Sequence, residues 1–153
     1  MNTIDITVTG IPEPNWIEGA ESFCQRVLDA LRLDNWELSI VFCNNLFIQE
    51  LNNRFRNKNE PTDVLSFSQL EGEDFPDPEG SPKTAGDLVV SVEMVEVNRT
   101  QNDTSWEEEL KRLLIHGILH LAGYDHEQDE EQEQMLSLQD TLLKLLKEER
   151  IRP

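Results

Sequence analysis

The run LLIHGILHLA, residues 113–122, is apolar apart from His116 and His120. A segment of that composition has to be buried, and two imidazoles are carried inside with it. On a helix, side chains four residues apart face the same way, with Cβ atoms about 5–6 Å apart. Side by side and without partners, two buried imidazoles would cost several kcal/mol. A single histidine on an apolar face is ordinarily satisfied by a core hydrogen bond, whereas a facing pair is best satisfied by a shared metal ion, with Zn–N distances of about 2.0–2.1 Å. Gly123 lies three residues beyond His120. Glycine adopts the left-handed conformation that ends a helix and turns the chain, and such a turn brings back His126, the remaining histidine, as a third ligand. Three nitrogen ligands leave one tetrahedral position open, as in catalytic rather than structural zinc sites. The expected metal ligands are therefore His116, His120 and His126, and the expected ion is Zn2+, although imidazole also suits other divalent metals.

HGILHLAGYDH fits the metzincin peptidase arrangement H-E-x-x-H-x-x-G-x-x-H at its three ligands and its glycine. It departs at the second position, where Gly117 stands in place of the glutamate that acts as general base. Peptide hydrolysis by that route is not expected. A water in the open position still is, and zinc lowers its pKa from 15.7 to about 7.

Two more segments accompany the histidines: LNNRFRNKNEPTDVLSF at residues 51–67 and AGDLVVS at residues 85–91. Taken together, in this order and covering about a quarter of the chain, the three resemble the YbeY family, bacterial metal-dependent endoribonucleases of ribosomal RNA maturation. Asn57 and Asn59 stand where the family pattern leads one to expect glycine and an acidic residue, and Ala85 precedes Gly86. The resemblance implies a zinc-dependent, single-strand-specific endoribonuclease acting in small-subunit rRNA maturation and ribosome quality control. It also implies RNA as partner, with ribosomal proteins or a ribosome-associated GTPase beside it, and a small mixed sheet with a zincin-like metal helix. Arg56 and His116 are the expected catalytic side chains. A guanidinium grips two phosphate oxygens at once, and a cation aimed at the charge developing on a phosphodiester aids its cleavage.

A chain of 153 residues makes one domain with a real core. Its first residues, MNTIDITVTG, lack the basic-then-apolar layout of a signal peptide, and no apolar run approaches the roughly 20 residues of a membrane span. A cytoplasmic protein with no membrane partner is expected. Cys24 and Cys43 have neither disulfide-framework nor CxxC spacing and read as buried free thiols. The charge is the awkward fact. Thirteen Lys and Arg against 31 Asp and Glu give −18, whereas nucleic-acid binders are usually basic. The densest basic patch is Arg54, Arg56 and Lys58.

Along the chain, strands are expected at residues 4–8, 37–43, 64–68 and 87–92. Helices are expected at 16–33, from a cap at Asn44 or Asn45 to 55, at 93–99, and to about 122 behind a Thr104/Glu107 capping box. A last helix over 129–148 should carry Met135, Leu138, Leu142 and Leu145 as its inner stripe. The acidic, Pro- and Gly-rich stretch 69–86 reads as a disordered loop or as a flap beside the site. The order of elements makes this an α+β single domain with about four strands. Asp63, Asp87, Asp125 and Tyr124 lie near the motifs but have ordinary structural explanations. Two other functions compete: a metallohydrolase acting on another substrate, and a non-catalytic ribosome-assembly factor with a structural metal site, whose acidic face binds basic ribosomal protein.

Overall fold

The computed structural model describes residues 1–68, 83–124 and 129–152; the side chains of residues 68, 83–85 and 129–132 are outside that description. In chain order the elements are β1 (Thr3–Thr9), α1 (Ile17–Ala30), β2 (Trp36–Cys43), α2 (Asn45–Arg56), β3 (Val64–Ser68), β4 (Lys83–Ser91), α3 (Val92–Asn102), α4 (Trp106–Leu121) and α5 (Asp129–Leu145). The α+β reading with four strands holds. The strand order, which the sequence left open, is β1-β2-β4-β3. β1, β2 and β4 run parallel, and β3 pairs antiparallel with β4 as an edge strand.

Period-two alternation divides the apolar side chains between the two faces of the sheet. Leu38, Ile40 and Phe42 of β2 and Leu88 and Val90 of β4 join the main core with α1, α4 and Met135 and Leu142 of α5. Their neighbours Val41, Cys43 and Val89, with Leu65 and Phe67 of β3, meet Ile48, Phe47 and Leu51 of α2 on the other face. Both thiols are buried, and burial pushes each up to about 12, with Glu21 adding to the effect at Cys24 and Glu93 at Cys43. At neutral pH both stay protonated, which suits packing rather than metal ligation.

Local chemistry moved several boundaries. α1 ends at Ala30, not 33, because Arg32 takes a left-handed φ of 58° and the Leu33 N–H returns to the Leu28 carbonyl at 2.9 Å. Asn44 is the cap of α2, accepting from the Phe47 N–H. At the other end of that helix Asn57 takes φ 59°. That explains the glycine expected there, since asparagine is among the few other residues that adopt this conformation readily. β4 begins at Lys83 rather than 87 and stops at Ser91, whose side chain caps α3. Val92 is therefore helical, and α3 continues to Asn102.

The capping box expected at Thr104 and Glu107 is displaced by one residue. Ser105 Oγ accepts from the Glu108 N–H at 3.0 Å, and Glu107 is used elsewhere, accepting from the backbone N–H groups of Ile151 and Arg152 at 3.1 and 2.8 Å. Leu145 leaves the stripe of α5 and is 66 % exposed, while Leu146 is buried in its place. Residues 69–82, and with them most of the proposed flap, lie outside the described residues. Among the described residues no helix is long and apolar enough to cross a membrane.

Candidate metal centre

α4 is buried almost all round: from Leu113 to Leu121 only His116 and His120 are partly exposed. Its close approach to the sheet depends on Gly117. A Cβ at that position would lie 2.7 Å from Leu88 Cδ2 of β4, closer than carbon atoms pack. The helix therefore settles against β4, and the two histidines come to the edge of the sheet beside β3.

The helix closes as the sequence implied. The Tyr124 N–H bonds to the Leu119 carbonyl at 3.0 Å and the Gly123 N–H to the His120 carbonyl at 3.1 Å, with Gly123 at φ +99°. This is a Schellman turn, and its positive φ is what the glycine supplies. His126 and Asp125 lie outside the described residues, so the third ligand rests on the sequence spacing. Among the described residues no three His, Cys, Asp or Glu side chains gather as a metal site.

The two described histidines do converge. His116 Nε2 and His120 Nε2 are 3.1 Å apart, with ring centroids 4.6 Å apart and planes at 74°. Two imidazole nitrogens bound at about 2.0–2.1 Å to one tetrahedral ion would stand about 3.3 Å from each other. The pair is thus already near the separation a shared ion requires. On the far side of the first ring, His116 Nδ1 lies 2.9 Å from Gln139 Oε1 of α5. The amide oxygen accepts only, so Nδ1 carries the proton and donates it. The lone pair of His116 is thereby left on Nε2, aimed at His120. An outward partner of this kind fixes tautomer and ring orientation in metal-binding histidines. The residues present fit a divalent ion.

Sequence reasoning missed Gln139, which is 6 % exposed. A signal existed: it is a polar residue in the apolar stripe of Met135, Leu138 and Leu142. Gln139→Leu is expected to weaken metal binding by about 10–100-fold while Gln139→Glu, which keeps an acceptor, retains most of it. Competitive metal titration of the three proteins checks this; equal affinities would make Gln139 a packing residue.

His116, Gly117 and His120 form one side of a cavity of about 290 Å3; among the described residues Asp63, Val64, Leu65, Ser66 and Arg56 also line it. Arg56 is the last residue of α2, where a cation is favoured by the helix dipole. Its Nη2 donates to the Ser66 carbonyl at 2.9 Å, and its guanidinium lies 5.4 Å from the centroid of Phe67. The structure thus brings Arg56 to the histidines from a segment about sixty residues earlier in the chain.

Asp63 is the only carboxylate lining this cavity among the described residues, and both of its oxygens are engaged. Oδ1 accepts from the Val64 N–H at 2.7 Å and Oδ2 from Asn98 Nδ2 at 3.1 Å, while its carbonyl accepts from the Ser91 N–H at 2.9 Å. These bonds tie the start of β3 to α3, so Asp63 builds the wall. Asp87 falls on the α2 face of β4, in register with Phe67 and alternating with Leu88. Tyr124 is 38 % exposed beyond the helix end.

A model of the endoribonuclease YbeY family matches residues 3–147. The chain belongs to the YbeY family. An endoribonuclease YbeY of Borreliella burgdorferi is 50 % identical over 127 residues, spanning 80 % of this chain and 81 % of the relative. The endoribonuclease YbeY of Treponema denticola is 44 % identical over 124 residues, spanning 80 % and 79 %. The solution structure of TM1509 from Thermotoga maritima superposes with a TM-score of 0.64 at 29 % identity, covering 94 % of this chain and 90 % of that one. Membership of the YbeY family makes the chain a nuclease rather than a peptidase, and the packing at Gly117 agrees. A Cβ at position 117 runs into the buried Leu88 side chain, so the metzincin glutamate would have to displace it.

Proposed function

We propose that this YbeY-family chain is a single-domain, zinc-dependent, single-strand-specific endoribonuclease spanning residues 1–153. Its physiological substrate in this reading is the small-subunit ribosomal RNA, in maturation and in ribosome quality control. It would work in the cytoplasm alongside ribosomal proteins or a ribosome-associated GTPase. His116, His120 and His126 hold the ion. The observation that carries the reading is the facing pair of Nε2 atoms, 3.1 Å apart and oriented by Gln139, in one cavity with Arg56.

Held by these histidines, a divalent ion would supply a water of lowered pKa and a Lewis acid for a phosphoryl oxygen. The chain's own residues do the rest. Gln139 keeps the proton on His116 Nδ1, so that the Nε2 lone pair of His116 points toward His120. Arg56, held at the rim by the Ser66 carbonyl, offers its remaining N–H donors to the phosphate, where negative charge builds up during cleavage. The wall of β3 and the face of α4 that carries the histidines border the phosphate position between these groups.

Cleavage of a single-stranded RNA should be abolished by chelation and restored by zinc, and a duplex of the same sequence should resist. A chelated protein that keeps its fold and still cleaves would overturn the reading. Arg56→Ala is expected to fold normally, since Arg56 is exposed, and to keep its metal while losing about 10²-fold in kcat/KM. Unchanged turnover would make Arg56 an ordinary surface residue.

A further inference from the structure

On the α2 face of the edge strand, beside Arg56, lies a pair of aromatic rings that the reaction does not use. Phe55 is 57 % exposed, although most large apolar side chains of the chain are buried. Its ring meets that of Phe67 at a centroid distance of 5.4 Å and an angle of 67°. Arg56 lies over the Phe67 ring at 5.4 Å and also lines the cavity, so one guanidinium joins the aromatic pair to the histidines. Arg54 and Lys58 lie near Phe55 in sequence, and Arg54 pairs with Glu50 at 3.7 Å. An isolated exposed phenylalanine needs no explanation. One supported by a second ring, with a guanidinium over that ring which also lines the cavity of the histidines, has the makings of a nucleic-acid contact.

We propose that Phe55, backed by Phe67, is a stacking platform for one unpaired base of the RNA, the base next to the phosphate held at Arg56. This rests on the endoribonuclease reading and adds to it the origin of single-strand preference. In a duplex the bases are stacked on one another and their faces are hidden; an unpaired base has a face to offer an aromatic ring. Stacking also answers the charge problem. A chain of net charge −18 gains little from long-range attraction to phosphate, and such attraction fades as salt rises. Stacking onto a ring needs no net charge and tolerates any base.

The test is a titration of the full chain, with chelator present so that nothing is cleaved, using a single-stranded octaribonucleotide and the same strand made abasic. Phe55→Leu keeps apolar bulk at an exposed site but removes the ring, and it should weaken octanucleotide binding about tenfold. That loss should be the same at low and at high salt. The wild-type chain should bind the abasic strand about as weakly as Phe55→Leu binds the intact one. Phe55→Trp should bind normally, and its indole fluorescence should be quenched by the octanucleotide but not by inorganic phosphate, because Trp16, Trp36 and Trp106 are buried and contribute little change. Equal binding by wild type and Phe55→Leu, or no preference of the wild type for the intact strand, overturns the platform. Cleavage assays on the metal-loaded proteins separate this from the function itself. Robust cleavage with no Phe55 effect sinks the platform alone, whereas Phe55-dependent binding without any cleavage sinks the endoribonuclease reading alone.

Discussion

His120→Ala is expected to leave a folded protein that no longer retains its ion and cleaves RNA at least about 10³-fold more slowly. The magnitude follows from what is lost: charge stabilisation worth several kcal/mol, at about 1.4 kcal/mol per factor of ten. Folding should survive because His120 is only partly buried and its neighbours Leu119 and Leu121 make the core contacts. Removing the ring also takes away the partner 3.1 Å from His116 Nε2, but that nitrogen faces an open cavity where water can replace it. The measurements are bound metal per chain, circular dichroism and cleavage of a single-stranded RNA. A variant that loses metal but cleaves normally would remove the ion from the mechanism. One that loses its fold would make the site structural, as in the rival assembly-factor reading.

For Gly117→Glu the expectation is a much less stable protein with poor RNA cleavage and no gained peptidase activity. Two effects oppose each other at this position. Glycine inside a helix costs about 1 kcal/mol relative to better helix formers, so any side chain recovers part of that. Against it, a Cβ would sit 2.7 Å from Leu88 Cδ2, and Leu88 is fully buried. Overpacking of this kind typically costs about 1–3 kcal/mol, and a carboxylate pressed into an apolar contact adds a further desolvation penalty. The unfavourable terms win, and with about 2–4 °C of Tm per kcal/mol for a domain of this size the melting temperature should fall by roughly 10 °C. Thermal unfolding beside wild type and Gly117→Ala checks this. A Glu variant as stable and active as the wild type would mean that Leu88 moves aside freely.

Much of the site was legible because helical spacing is local. His116 and His120 had to share a face once the segment was helical, and Gly123, at φ +99°, ends that helix as its conformational freedom allows. Family-like segments placed Arg56 and the 64–68 strand in the same argument. Boundaries decided by competition between partners were not legible. Thr104 and Glu107 have the spacing of a capping box, but Glu107 is taken by a backbone segment 44 residues away, and the cap passes to Ser105. Leu145 and Leu146 are equally apolar, and only the packing of the main core chose Leu146, just past the end of α5.

By itself, then, the sequence determined the α+β class, the facing histidines and the turn that follows them, because these depend on periodicity and on the conformational range of single residues. The tertiary structure alone decided the strand order β1-β2-β4-β3, the contact of Gly117 with Leu88, the bond between His116 and Gln139, the cavity that Arg56 shares with the histidines, and the Phe55–Phe67 pair. Those arrangements join residues far apart in the chain. They depend on which faces can be buried together, and no local spacing records that.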